Sequence, residues 1–435
     1  MPQNIQKALC DFLAHHPYLH TQRLVIGYSG GRDSHVLLQA CAALKKDLMP
    51  HLNLKALHVN HHINSNAAHW AAHCIHIANS LEIPCQVLNI TLDLQQGQSL
   101  EARARDARYV AILEQLEPND VLLTAHTQDD QAETLLLQLI RGAGVQGLSC
   151  MGDSKQIGHT LHYRPLLAIT REQIEAASVA YGLSWITDDS NSDERFDRNF
   201  IRHQILPILK TRFKGAVPSL ARSAHLCQEA AYLQQAQAQH DFETIQDTVK
   251  NQMNGVEFIK LPFTRQKAVI RYWIAKNNMA YPSKVKLEDM IRQINYARQD
   301  ATPCITWGGG ILRRYKQNWY LFNSKQVFSK TFDFTIKKIQ GTGFTLEAIE
   351  NIADLSIGYR DATQRCKPAG AAFSKPLKKW FQILEIPIWL RDTVPLLYYK
   401  GVLIGVLGYF ICEGWQVIDK EECGFEVILD RLSKD

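Results

Sequence analysis

Two stretches of the chain bring together residue types that could do chemistry. The first is Ser29-Gly30-Gly31-Arg32-Asp33-Ser34, directly after the apolar run "RLVIGY". Glycines let backbone amides approach an oxyanion with no Cβ in the way. A helix starting there adds unpaired N–H groups and the positive end of its dipole. Ser29 and Ser34 add hydroxyl donors. The chemistry this implies is the grip of a phosphate or pyrophosphate. Asp33 suits a magnesium ion that bridges phosphates, since hard cations prefer carboxylates. A kinase-type loop needs G-x-x-x-x-G-K-[ST], and the chain has no Gly-Lys dipeptide. A turn that merely joins strand to helix would not need this combination of Ser, Gly and Asp.

The second stretch is "TAHTQDDQAET", residues 124–134, which gathers His126, Asp129, Asp130 and Glu133. Acids three and four apart share a helix face. Carboxylates at a helix start are favourable for electrostatic reasons alone, which accounts for one or two of them. It leaves His126 and the position at a strand tip unexplained. The functional reading is a metal and cation pocket facing a nucleotide. A third stretch, "HVNHHIN" at 58–64, holds His58, His61 and His62. His58 and His61 are not at the i, i+4 spacing of helical zinc ligands, and no cysteine stands near them in sequence. His58 is therefore read as a neighbour of the nucleotide. "GAGVQG", residues 142–147, follows a helix instead of a strand, so it fails the context of a dinucleotide fingerprint.

The elements that must position these residues alternate. "RLVIGYS", "LKALHVN", "CQVLNI" and "DVLLTAH" read as strands, each followed by a helical pattern. Ser99 is the expected N-cap of one helix, and Thr170 with Gln173 forms a capping box before another. Such βαβ alternation predicts an α/β fold with a Rossmann-like parallel sheet covered on both faces. Its strands end where such sheets bind ligands. This domain is expected over residues 1–215. A mainly helical middle domain is expected over 216–330, beginning with a connecting helix. Within it, "CITWGGGILRRYKQNWYLF" reads as a hairpin. Residues 325–345 show no clear apolar stripe and read as a boundary, and 345–435 reads as a small α+β domain.

A chain of 435 residues, 46% hydrophobic and 21% charged, has the composition of a soluble globular protein. Its net charge of +5 is too small to establish nucleic-acid binding. No apolar run reaches the roughly 18–20 residues of a membrane span. The first twenty residues lack a secretory pattern, and none of the ten cysteines forms a Cys-x-x-Cys pair. A cytoplasmic protein with reduced thiols is expected. The sequence leaves open whether it forms a homodimer.

The motifs carry a resemblance. "SGGRDS" resembles the S-G-G-x-D-S signature of the PP-loop, or N-type, ATP pyrophosphatases. "HVNHHIN" is similar to the H-V-N-H-x-x-R element of the tRNA(Ile)-lysidine synthetase family, with Asn64 standing where arginine is common. "TAHTQDDQAET", "YRPLL" at 163–167, "DDSNSDERFDRNFIR" at 188–202 and "RCKPAGAAFSKPLKKWFQILEIPIWLRDTVPLLYY" at 365–399 resemble its further motifs. The resemblance implies a ligase that uses ATP and Mg2+. It would join free L-lysine to the wobble cytidine of an isoleucine tRNA with a CAU anticodon, through an adenylated intermediate. Ser29, Gly30, Gly31, Arg32, Asp33, Ser34 and His58 would hold ATP, with Asp33 and Asp129 at the metal. Asp130 and Glu133 would receive lysine's ammonium, and His126 would position or deprotonate it. Arg198 and Arg202, four apart, would grip phosphate or lysine's carboxylate. Arg202, Arg105 and Arg108 would also meet tRNA, as would Arg365, Lys367, Lys375, Lys378, Lys379 and Arg391, with aromatics interleaved. A 2-thiocytidine synthetase of the same superfamily is the nearest alternative, but sulfur delivery normally needs paired thiols. A non-catalytic nucleotide-binding module would need neither the acidic pocket nor a basic terminal domain.

Overall fold

A computed structural model describes residues 2–60, 66–90, 100–187, 193–247, 252–298, 301–323, 332–345, 351–360, 364–419 and 421–431. His61, His62, Asn64, Ser99 and residues 188–192, named above, lie outside the described residues. The chain divides into two compact units, Met1–Gln234 and Gln235–Asp435.

In the first unit, α1 (Gln3–His15) precedes β1 (Arg23–Gly27), α2 (Arg32–Asp47), β2 (Asn53–Asn60), α3 (Ala67–Ser80) and β3 (Cys85–Asn89). Then come α4 (Leu100–Glu114), β4 (Asp120–Leu123), α5 (Gln128–Ile140), α6 (Val145–Leu148), β5 (Ser154–Ile157), β6 (Thr160–Tyr163) and α7 (Arg171–Ala180). The unit closes with α8 (Asp197–Phe200), a π-helical turn (Ile201–Ile205), α9 (Leu206–Arg212) and the first part of α10 (Ala216–Ile245). The six strands form one sheet in the order β3-β2-β1-β4-β6-β5, parallel except for β5. The hairpin of β5 and β6 extends the four expected strands.

The apolar runs explain the layering. Alternate residues of a strand face opposite sides of a sheet. Leu24 and Ile26 of β1 join Leu54 and Ala56 of β2 and Val121 and Leu123 of β4 in one core, with α1 and α2. Val25, Leu57 and Leu122 between them join Ala111 and Ile112 of α4 in a second core on the other face. Each fully buried aliphatic side chain stabilises the layer by about 1.5–3 kcal/mol. The connection from β1 goes to β2 on one side, while β4 pairs with β1 on the other. The carboxyl ends of β1 and β4 therefore flank the point where strand order reverses, which is the usual ligand crevice of such sheets.

The second unit takes the last turns of α10 into β7 (Gln246–Asp247), β8 (Gln252–Asn254), α11 (Gly255–Ile259), α12 (Phe263–Lys276) and α13 (Lys284–Tyr296). With β9 (Cys304–Trp307), β10 (Gly310–Tyr315) and β11 (Asn318–Asn323), the strands form an antiparallel sheet ordered β7-β8-β11-β10-β9. Its core joins Trp273, Ile291 and Trp319. There follow β12 (Phe332–Gln340), β13 (Phe344–Thr345), β14 (Leu355–Gly358), β15 (Arg365–Cys366), β16 (Lys375–Pro376), α14 (Leu377–Ile383), β17 (Leu396–Tyr399), β18 (Val402–Val406), β19 (Phe410–Ile411) and β20 (Cys423–Arg431). These give three further antiparallel sheets. β12 corrects the reading of that region as a featureless boundary. Phe334 and Ile336 alternate with polar residues and pack on the core around Phe425, while β12 pairs with β20 along nine residues. The alternation is short and spans only part of the window, so the polar residues before it dilute the pattern. No helix among the described residues is long and apolar enough to cross a membrane.

Candidate active site

The glycine tip sits where β1 meets α2. Tyr28 N–H still donates to Leu57 O at 2.8 Å. Gly30 then takes φ +82°, and a Cβ there would lie 2.6 Å from Ile186 Cδ1 and 2.9 Å from Cys74 Sγ. Only glycine meets both the left-handed backbone and the close approach. The Ser34 hydroxyl lies 3.0 Å from Ser29 Oγ, accepts from the Ser29 amide at 3.2 Å and donates to Gly31 O at 2.9 Å. This closes the loop on itself. The first amides of α2 have no partner within the helix, so they form an anion cradle. Arg32 reaches out to Glu175 on α7 at 2.7 Å and lies over the Trp185 ring. His58 is buried, with Nδ1 3.0 Å from Tyr28 O. A carbonyl only accepts, so Nδ1 carries the proton. Burial lowers the His58 pKa, and Arg108 lowers it further. A neutral His58 therefore offers Nε2 as an acceptor beside the loop.

The tip of β4 builds the second half. Thr127 caps α5, and its N–H and hydroxyl donate to Asp130 Oδ2 at 2.8 and 2.9 Å. Asp130 Oδ1 accepts from Arg198 Nη2 at 2.9 Å and Arg202 Nη2 at 3.1 Å. Glu133, fully buried, accepts from Arg198 Nε at 2.9 Å, Arg202 Nε at 2.7 Å and Arg171 Nη2 at 3.4 Å. Arg198 and Arg202 thus share a face as their spacing predicts. The π-helical turn lies in this run, and Pro207, which lacks an N–H, follows it. Burial disfavours the Asp130 carboxylate, but Arg198 and Arg202 outweigh that and bring its pKa down to about 2.

These contacts correct three expectations. Asp130 and Glu133 already hold guanidinium groups, so an ammonium reaches them only by displacing one. Arg202 is held in this network instead of being displayed to RNA. Asp129 accepts from Lys210 Nζ at 2.8 Å and from the Arg171 backbone N–H at 2.8 Å. It anchors α9 and the start of α7, so both of its oxygens already have partners within the fold. Arg171 and Lys210 carry no signal in the sequence, because their roles depend on tertiary approach.

Asp33 differs from these acids. Burial and the nearby Asp130 charge raise its pKa, and Arg171 and Arg32 oppose the rise only in part. Its side chain is 31% exposed, so a ligand can reach it. A cation beside two mutually repelling carboxylates would relieve them, which fits magnesium. No group of three or more His, Cys, Asp or Glu suited to a metal occurs among the described residues. Magnesium commonly takes one or two carboxylates plus substrate phosphates, so the donor set fits that mode.

His126 follows β4, and Arg105 on α4 is near enough to influence it. Burial is the main cause that lowers the His126 pKa to about 4, with Arg164, Arg198 and Arg105 adding to it against Asp130. Arg105 and Arg108 are both exposed on α4.

In the second unit, Arg365, Lys378 and Lys379 are exposed. Lys367 pairs with Glu413 at 2.5 Å, and Lys375 lies over the Trp380 ring. Phe373 is 74% exposed, unlike a core aromatic. Arg391 is a further correction. It is buried, donating to Ile386 O and the Tyr315 hydroxyl at 2.9 Å each. It is held inside the unit by these bonds instead of being displayed at the surface.

Family models described as a PP-loop domain, a TilS substrate binding domain and a TilS substrate C-terminal domain match residues 1–209, 257–320 and 355–428. The tRNA(Ile)-lysidine synthase of Coxiella burnetii is 38% identical over 419 residues, covering 92% of this chain and 92% of that protein. That of Histophilus somni is 34% identical over 430 residues, covering 94% and 98%. That of Serratia proteamaculans is 35% identical over 415 residues, covering 92% and 94%. With identity at this level along nearly the full length of each relative, and with the glycine tip and acidic helix start in place, the chain belongs to the tRNA(Ile)-lysidine synthase family.

Proposed function

We propose that the chain converts the wobble cytidine of an isoleucine tRNA with a CAU anticodon into lysidine, using ATP and free L-lysine. The observation that carries this reading is the meeting of an anion cradle and a paired carboxylate–guanidinium cluster at one sheet edge. Asp33 feels the charge of Asp130, and Arg202 feels that of Asp33. In the first step the cytosine carbonyl oxygen attacks the α-phosphate and pyrophosphate leaves. Ser29, Gly30, Gly31 and Ser34 with the first amides of α2 receive its charge, work that oriented backbone donors do well. Asp33 would hold magnesium, which supplies charge neutralisation on the phosphates. His58 Nε2 is available to a donor on the base.

In the second step the ε-amine of lysine, having lost a proton, attacks C2. The C2–O bond breaks and AMP leaves with that oxygen. Lysine carries both an ammonium and a carboxylate. It can exchange partners with the cluster, its ammonium taking Asp130 and Glu133 and its carboxylate taking Arg198 bidentately. Arginine carries the positive charge but stays protonated, so it is a poor nucleophile. Arg105, Arg108, Arg365, Lys378 and Lys379 would follow tRNA phosphates. A cytoplasmic location agrees with a tRNA substrate and with ten free cysteines. The test offers labelled lysine and ATP to isoleucine tRNA transcripts with CAU and other anticodons. Incorporation confined to CAU transcripts, with AMP released in equal amount, is expected. AMP release without lysine incorporation would reject the reading.

A further inference from the structure

Behind His126 lies a partly buried chain of hydrogen bonds that the reaction above does not use. Thr124 Oγ1 is 2.8 Å from His126 Nδ1 and 2.7 Å from His162 Nε2. His162 Nδ1 is 3.3 Å from Arg164 Nη2, and Arg164 Nη1 donates to Gly152 O at 2.6 Å. His162 on β6 and Arg164 just after it are buried, at 0% and 6% exposure. Thr124 lies between two strand tips, its N–H donating to Tyr163 O at 3.1 Å.

The direction of this chain follows from what each group can do. A guanidinium has donors only, so His162 Nδ1 must accept. Neutral His162 then carries its proton on Nε2 and donates it to Thr124 Oγ1. A hydroxyl has one proton to give. Thr124 Oγ1 could accept from both rings, but its own proton would then lack a partner among the described residues. Given to His126 Nδ1 it is satisfied, so that nitrogen accepts and the His126 proton resides on Nε2. Burial, with Arg164 nearby, brings the His162 pKa down to about 3, in keeping with a neutral ring. Among the described residues His126 Nε2 has no protein partner. Asp130, Arg164, Arg198 and Arg105 are the charged groups that act on this ring.

We infer that Arg164, His162 and Thr124 are positioning residues that fix the His126 tautomer, so that His126 presents Nε2–H as a hydrogen-bond donor. In this state it does not take a proton from lysine's ammonium at Nε2. It donates to an acceptor oxygen, phosphoryl or cytosine carbonyl. The donor's use in lysidine formation rests on the reading above, whereas the tautomer does not.

The test labels histidine with 15N in the full chain and records long-range proton–nitrogen correlation near pH 7, with His126→Gln assigning the signal. A protonated Nε2 and an unprotonated Nδ1 are expected. A protonated Nδ1, or averaged nitrogens, would overturn the inference whatever the enzyme does. Thr124→Val should convert the signal to a tautomer mixture and lower lysine incorporation by at least roughly tenfold. Thr124→Ser should restore both. Arg164→Met should allow His162 to flip and move the His126 proton to Nδ1, a change two residues removed from the ring. An Arg164→Met variant that folds and leaves the tautomer unchanged would remove Arg164 from the device. A shift of the Nε2–H signal with a non-hydrolysable ATP analogue assigns the acceptor to phosphate. A shift only with tRNA assigns it to the base, and no shift with both present overturns the donor role. If the tautomer holds while no lysine is incorporated, the fault lies with the proposed reaction.

Discussion

Asp33 and Glu133 are both carboxylates near the ends of β1 and β4, yet their surroundings give them opposite tasks. Asp33 is partly exposed and its charge is opposed by burial and by Asp130. It is therefore suited to meet a cation brought with substrate. Asp33→Ala should lower pyrophosphate release at least roughly 100-fold while the thermal midpoint stays within a few degrees. Near-normal release would withdraw the magnesium role. Glu133 is buried and meets three guanidinium groups. Removing one partner of such a cluster leaves charges uncompensated, at about 3–5 kcal/mol. Glu133→Ala should lose that much in urea unfolding. A loss under about 1 kcal/mol, well below the range for a buried pair, would show the cluster to be adaptable. Glu133→Gln, followed in a single turnover, should slow lysine incorporation more than pyrophosphate release. An equal loss in both signals would make Glu133 a support of the fold alone.

At the scale of elements, the loop between β1 and α2 and the start of α5 respond to different insults. Gly30→Ala forces a Cβ onto Ile186 and Cys74 at φ +82°. A non-glycine residue there costs about 1–2 kcal/mol from backbone alone. ATP affinity should fall with it, whereas an alanine at Gly142, which has open space around it, should change only stability. The α5 cluster carries a pH signature. The Asp130 pKa is about 2 in the folded chain, below its ordinary value of about 3.9. Its contribution is complete above about pH 4 and is lost as pH falls toward 2. The urea midpoint of Asp130→Asn should therefore fall less steeply than that of the parent across this window. Parallel curves would mean that Asp130 titrates alike in both states.

At the scale of the molecule, the reading proposed above has tRNA binding and nucleotide chemistry draw on different residues. Replacing Arg365, Lys378 and Lys379 together with alanine should weaken tRNA binding and leave ATP binding intact. The slope of log affinity against log salt should flatten by about 0.7–0.9 for each phosphate that is no longer neutralised. An unchanged slope would place the RNA surface elsewhere. Truncation near residue 345 is a poorer test, because β12 pairs with β20 and the cut would leave an unpaired strand. The sequence by itself determined the parallel sheet, the anion-binding tip and the acidic start of α5. Those features are local: alternating apolar runs, glycines that free the backbone, and carboxylates favoured at a helix N-terminus. It also placed Arg198 and Arg202 on one face, since helical spacing does that without tertiary help. What it did not determine is which partner each charged side chain takes. Asp129 went to Lys210, Arg391 to Tyr315, and Asp130 and Glu133 to arginines about 70 residues away along the chain. Only the tertiary structure decided these pairings. A buried charge must find its counter-charge in space, and the chain reveals which one only when strands and helices distant in sequence come to lie side by side.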